Sequence, residues 1–279
     1  MIGVAKERWV RGRVEWPGGA RLAILISYDY HADAGLTPGA KVSYRDLSDR
    51  QYELYDGLRR ILELHERYEI PSTYRIPGET VERHPDAVRE IYRHGHEIGG
   101  HGYRHEDVTT LTREEEKGLV QRTFAAIERV TGSKPSGWRS SFSQPSDNTV
   151  EILTESGFTW HSDFFDDDFP YLLEGEKGKL LEIPYHWATG DSSLFNWPHL
   201  HPYGNPEDAL GYWQDEFDFL YAESKSSPRM LVFSWHPFSI GRPSRAAALE
   251  KLCRYMKEHS GLWFARFDDV ANWWLKQGY

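Results

Sequence analysis

The sequence predicts an α/β protein, a largely parallel sheet covered by helices. Two observations carry this. Short apolar runs recur along the chain, and most are followed by a stretch of helical periodicity. The unusual polar residues then sit just after those runs, where parallel-sheet proteins gather their sites. At 279 residues the chain suits one large domain, and no linker composition divides it. Patterning alone leaves a closed barrel and an open, doubly wound sheet as equal alternatives.

Residues 22–27 (LAILIS) form a compact apolar run that ends at Tyr28-Asp29, as a buried parallel strand would. Leu54, Leu58, Ile61, Leu62 and Leu64 place a helix over about 50–68. A strand is expected at 72–76, stopped by Pro77-Gly78, and a helix at 85–94, closed by Gly95. A short strand at 96–100 runs into a histidine cluster. Thr112 and Glu115 form a capping box that opens a helix to about 130. A strand end is expected at 137–139, a helix at 148–156 and a strand at 180–183. Asn205, Pro206, Glu207 and Asp208 start a helix that runs to about 223. Residues 230–235 (MLVFSW) are the clearest buried strand; a helix at 246–259, a strand at 262–264 and a helix at 268–277 complete the series. The segment 163–206 exceeds ordinary loop lengths and reads as a binding-loop insertion.

The net charge of −10 argues against a nucleic-acid partner, whose phosphates require Lys and Arg. No apolar run approaches the ~20 residues that span a bilayer, and the N-terminus shows no apolar signal core, so a cytoplasmic location is expected. A single cysteine, Cys253, excludes an internal disulfide and a Cys-rich metal site. It reads as a small apolar residue on a helix face. A metal would have to rest on His, Asp and Glu.

Three strand ends concentrate the chemistry. Asp29 directly follows a buried strand and needs a cation or hydrogen bonds there, with His31 and Asp33 close behind. His101 and His105, four apart behind Gly99-Gly100, can converge on one metal, since Gly99, Gly100 and Gly102 disfavour a helix and permit a tight turn. His94 and His96 read as helix-end and edge residues. His236, held by Pro237, is placed for general acid or base work. Each of these residues taken singly has an ordinary structural explanation. Together with Arg139 they end separate strands, and one site explains them better than several accidents.

This pattern resembles the polysaccharide deacetylase superfamily (the NodB-homology group and carbohydrate esterase family 4), over roughly residues 21–272. The stretch Gly95-His-Glu-Ile-Gly-Gly-His-Gly-Tyr-Arg-His105 is similar to its metal-binding histidine motif. Residues 157–171, with Trp235-His236-Pro237 and Gly241-Arg242-Pro243, resemble a branch holding intracellular peptidoglycan-deacetylase-like proteins, cyclic imide hydrolases and metal-independent allantoinases. The resemblance implies a distorted (β/α) barrel in one catalytic domain over 1–279, with a metal at its mouth. It implies Asp29 as base, Arg139 as the group that orients it, His236 as acid, and His101 and His105 as metal ligands. Tyr103, Trp235 and Arg242 become candidate substrate contacts.

Two departures stand out. The family usually has Asp at the position of His31, its third ligand. With His31 binding, the site has three imidazoles and no ligand charge, which suits zinc, or else cobalt or nickel. Otherwise Asp33 substitutes, or the metal is absent as in the allantoinase-like branch. Ser141 stands where many relatives have Pro, which loosens the adjoining loop. The expectation is a metal-dependent hydrolase of an amide-type C–N bond acting on a small amide, an imide or an N-acetylated sugar. A backbone N–H after the turn 103–105 would help to hold the oxyanion. The alternatives are a cytosolic cyclic imide or ureide hydrolase without metal, and a non-catalytic carbohydrate-binding relative. Trp160, Phe164, Phe165, Tyr171, Trp187, Phe195 and Trp197 line a sugar groove or, more commonly, pack a core or a homo-oligomer interface. The acidic run 166–168 reads as a solvated turn, and His199 and His201 as surface residues.

Overall fold

The structure, a computed structural model, describes residues 3–4, 14–34, 44–196 and 204–277. Its elements run β1 (Gly3–Val4), β2 (Leu22–Asp29), α1 (Tyr44–Gln51), α2 (Asp56–Tyr68), β3 (Thr73–Ile76), α3 (Gly78–Arg83), α4 (Pro85–Arg93) and β4 (Glu97–Gly100). Then come α5 (Arg113–Thr131), β5 (Gly137–Trp138), α6 (Thr149–Glu155), β6 (Trp160–His161), β7 (Tyr171–Gly175) and β8 (Gly178–Glu182). The chain continues through α7 (Pro206–Glu223), β9 (Arg229–Trp235), α8 (Pro237–Ile240), α9 (Pro243–Lys257), β10 (Leu262–Ala265) and α10 (Phe267–Gln277).

All eight residues of β2 are buried, and the strand organises the sheet. β9 runs parallel along one edge of it, from Leu22↔Arg229 to Tyr28↔Trp235. The other edge is shared: β10 pairs with residues 22–25 and β3 with residues 27–29, both parallel. From β3 the order continues through β4, β5, β6, β8, β7 and β1. Only the β7–β8 hairpin and the short β1 run antiparallel. The curled sheet nearly closes where Gly190, beyond β8, bridges Ser234 of β9 in parallel. This is the distorted (β/α) barrel, and it resolves the choice that patterning left open. Apolar side chains of β2, β3 and β9 pack against α2, α4, α7 and α9 on the outer face, with Leu22, Ile24, Ile61, Ile91, Trp213, Phe233 and Leu252 at or near zero exposure.

The helix ends follow local chemistry. Thr112 accepts from the Glu115 N–H while the Glu115 carboxylate accepts from the Thr112 N–H, the reciprocal capping box. Asn205 accepts from the Glu207 N–H at the start of α7. Gly99 and Gly100 are strand residues, not turn residues. A β-carbon on Gly100 would overlap the Trp138 ring, so the glycine is what lets β4 lie against β5. Only Gly102 takes a positive φ, at 71°, and makes the turn.

The segment 163–206 was expected as a loop insertion, but it contributes β7 and β8 to the sheet, then short helical turns at Trp187–Thr189 and Ser192–Asn196. α3 was also missed, being a six-residue helix without an apolar stripe. Trp160, Tyr171 and Phe195 are core residues, whereas Phe165 and Trp187 are exposed at 44% and 59%. Trp197, His199 and His201 lie outside the described residues. Cys253 is buried in α9, and burial pushes its thiol up to about 12, so it is an inert packing residue. Among the described residues no helix is long and apolar enough to cross a membrane.

Candidate active site

The C-terminal ends of β2, β3, β4, β5 and β9 converge, and Asp29 stands at their centre. Its Oδ1 lies 2.7 Å from Nε of Arg75, an ion pair that is off-line for a hydrogen bond. Its Oδ2 is 3.9 Å from the Arg139 guanidinium and 3.8 Å from Nε2 of His236, and its Oδ1 is 4.0 Å from Nε2 of His101. Burial would raise the Asp29 pKa. Arg75 first, then Arg139 and the two imidazoles, outweigh burial and hold the carboxyl well below the usual carboxylate range. Asp29 is therefore ionised at neutral pH.

His31, His101 and His105 form one cluster, with a ring nitrogen from each lying within 4.8 Å of the others. His101 Nδ1 donates to the Arg139 carbonyl at 2.9 Å, which leaves Nε2 as the free ligand atom. Neither ring nitrogen of His31 has a hydrogen-bond partner, although the residue is 4% exposed. A buried polar ring without a partner is costly, and a metal ion would satisfy it. Burial depresses all three: His31 titrates well below its ordinary value, His101 at about 4 and His105 at about 2. They are neutral at pH 7, the state that binds a cation. The residues present thus fit a divalent metal on three imidazoles. Asp33 does not join them, because it pairs with Arg83 at 2.5 Å and His84 at 2.9 Å.

His236 caps α8. Its Nδ1 meets Asp191 Oδ1 at 2.8 Å, and its backbone N–H donates to Asp191 Oδ2 at 3.0 Å. The buried Asp191 thereby fixes the ring with Nε2 towards Asp29. Arg139 is held from two sides: Nη1 donates to Ser234 Oγ at 3.0 Å, and Nη2 to Ser143 Oγ at 2.7 Å. Ser234 also accepts from Arg75 at 2.8 Å, so one hydroxyl ties both guanidinium groups together.

The three candidate substrate contacts are occupied elsewhere. Trp235 is fully buried and stacks on Phe233 at 4.9 Å, because alternation along β9 turns it into the core. Tyr103 donates to Glu82 at 2.7 Å and lies under the Arg122 guanidinium. Arg242 pairs with Asp49 and covers the Tyr52 ring at 3.7 Å. The N–H groups of Tyr103 and Arg104, within the turn, both donate to Glu106. His96 is not an edge residue: it is buried and accepts from the Ser72 N–H.

Three features escaped the sequence reading. Arg75 carried a usable signal, an arginine inside a buried strand, which must have an anionic partner. Asp191 gave none. His161 is buried between Asp163 (2.7 Å) and Glu182 (2.6 Å). Burial would lower its pKa, but the two carboxylates prevail and raise it to about 10. Asp163 in turn accepts from the Ser140 N–H, directly after Arg139, and so anchors the loop that presents it.

The family model described as polysaccharide deacetylase matches residues 49–161. A peptidoglycan deacetylase of Helicobacter pylori is 28% identical over 288 residues, covering 91% of this chain and 97% of its own length. Among solved structures, a probable polysaccharide deacetylase from Pseudomonas aeruginosa PAO1 superposes with a TM-score of 0.84 at 30% identity, covering 94% of this chain and 93% of the other. The Puue allantoinase structure matches with the same TM-score and identity, over 93% of this chain and 92% of that one. With its barrel, its strand-end site and this near-complete overlap, the chain belongs to the polysaccharide deacetylase family, hydrolases of amide carbon–nitrogen bonds.

Proposed function

We propose that this protein is a metal-dependent, deacetylase-like hydrolase of an amide-type C–N bond, with one zinc ion on His31, His101 and His105. The observation that carries this reading is the position of Asp29. Its carboxylate faces the histidine cluster through His101 at 4.0 Å and the Asp191-bound His236 at 3.8 Å. A base and an acid thus flank one small space beside the candidate metal ligands.

A bound divalent ion would polarise the substrate carbonyl and lower the pKa of its water, to ~7 in the case of zinc. Asp29, ionised and oriented by Arg75 and Arg139, accepts the proton of the attacking water. Ser234 keeps the two guanidinium groups fixed while the carboxylate loses its charge. His236, in its imidazolium form, then donates a proton from Nε2 to the departing nitrogen, which leaves poorly as an anion. Asp191 accepts from Nδ1–H, which leaves the Nε2 proton as the one available for transfer. A binding module has no use for such a base-and-acid pair, which speaks against the non-catalytic alternative.

Cobalt or nickel would suit the same ligands. The deciding experiment is elemental analysis of protein purified without a tag or added metal, alongside hydrolysis of N-acetylated sugars. About one zinc per chain, lost in His101→Ala, is expected. Turnover by protein that takes up neither zinc nor cobalt would overturn metal dependence. A second reading, hydrolysis of a cyclic imide or ureide, is favoured by the likeness to the allantoinase across almost the whole chain. Turnover of allantoin or succinimide with none of N-acetylglucosamine oligomers would select it.

A further inference from the structure

One cation at the mouth of the barrel has no part in the mechanism above. Arg50 lies in the last turn of α1, with its guanidinium 5.8 Å from the ring of Phe238, two residues beyond His236. Its Nη1 is shielded from solvent and has no hydrogen-bond partner. Phe238 in turn lies against the His236 ring, with centroids 5.5 Å apart, so the guanidinium borders the wall that carries His236.

The other arginines of this wall are committed. Arg60 donates to Tyr52 and to the Gly241 carbonyl, Arg242 to Asp49 and the Phe238 carbonyl, and Arg245 to Ser239. Among the described residues no carboxylate lies within ion-pair distance of Arg50. Glu53, one turn on, does not fill that role. Its carboxylate is taken up by the Ala32 N–H.

The charge balance of the site points the same way. Asp29 is already matched by Arg75 and Arg139. Three neutral imidazoles contribute no charge against a divalent ion, because His31 stands where a carboxylate would have supplied one. A buried, unpaired guanidinium N–H beside that surplus is an incomplete anion site.

We propose that Arg50 selects the substrate, which is a small amide or imide carrying a carboxylate within reach of the scissile C–N bond. The proposal rests on the histidine cluster being the reaction centre.

Acetate and succinate separate the two contributions. Acetate offers one carboxylate, which the metal can hold; succinate offers a second for Arg50. Calorimetric titration of the zinc-loaded full chain with each acid, at fixed pH and ionic strength, gives a succinate-to-acetate affinity ratio. A charge-assisted hydrogen bond predicts a ratio of about tenfold or more. That ratio should collapse towards one in Arg50→Gln and fall only partly in Arg50→Lys, which also serves should Arg50→Gln fail to fold. An equal ratio in wild type and variants overturns the proposal, as does a wild-type ratio of one. Zinc content is measured on every sample, and the titrations are repeated after chelation. Absence of zinc would fail the reading of the centre, while the metal-free titrations would still decide the role of Arg50.

Discussion

Nε of Arg75 lies 2.7 Å from Oδ1 of Asp29, closer than any other cation approaches that carboxylate among the described residues. Arg139, the arginine singled out from the sequence, stays 3.9 Å from the other oxygen and spends its hydrogen bonds on Ser234 and Ser143. Arg75 is therefore the main electrostatic partner of Asp29, and Arg139 forms a supporting wall. Removing one partner of a buried ion pair leaves an uncompensated charge and costs about 3–5 kcal/mol.

Arg75→Met should lower stability by about that amount. It should also raise the Asp29 pKa, because the largest charge holding it down is gone. The acidic limb of the kcat/KM profile then moves to higher pH. An unmoved limb in a folded variant would detach Asp29 from that titration.

Asp29→Asn and His236→Ala should each reduce kcat by about 10²–10⁴-fold, the usual weight of a general base or acid. Circular dichroism checks that the fold is retained. Near-normal turnover in either variant would remove its assigned role.

Asp191→Asn leaves the His236 ring in place but offers an amide where a carboxylate stood. We expect a large loss in kcat with KM little changed, because Asp191 touches His236, the proposed acid, and not the substrate space. A rise in KM alone would make Asp191 a determinant of binding instead.

The His161 pKa is raised from 6.5 to about 10, so the charged ring is favoured in the fold. Its contribution to stability is complete below the unfolded pKa of 6.5 and disappears as pH rises through about 10. Denaturation midpoints should therefore decline across that window, and the ring should remain protonated by NMR at pH 8. A neutral His161 ring at pH 8 would refute this.

His31→Ala and His101→Ala should each abolish the metal binding proposed for this cluster. His31→Asp, by contrast, should keep it and add a ligand charge, weakening the preference for succinate over acetate. Metal analysis with the same calorimetric titration reads both effects.

Much of the barrel was legible in local pattern. The apolar runs of β2 and β9, the Thr112–Glu115 box and the Asn205-Pro206 start each encode their element within a few neighbouring residues. Asp29, His101, Arg139 and His236 could be picked out because an ionisable side chain at the end of a buried strand is conspicuous. Which partners they meet was not legible. Arg75 reaches Asp29 across two paired strands, Asp191 reaches His236 from a turn beyond a hairpin, and Trp235 turns inward while its neighbour His236 turns to the site. The outward course of Asp33, the orphaned ring of His31 and the His161 cluster depend likewise on curvature and strand register. Hydrophobic periodicity says which face of a segment is buried. Only the curled sheet decides which buried charges neutralise one another, because that depends on distances between residues far apart in the chain.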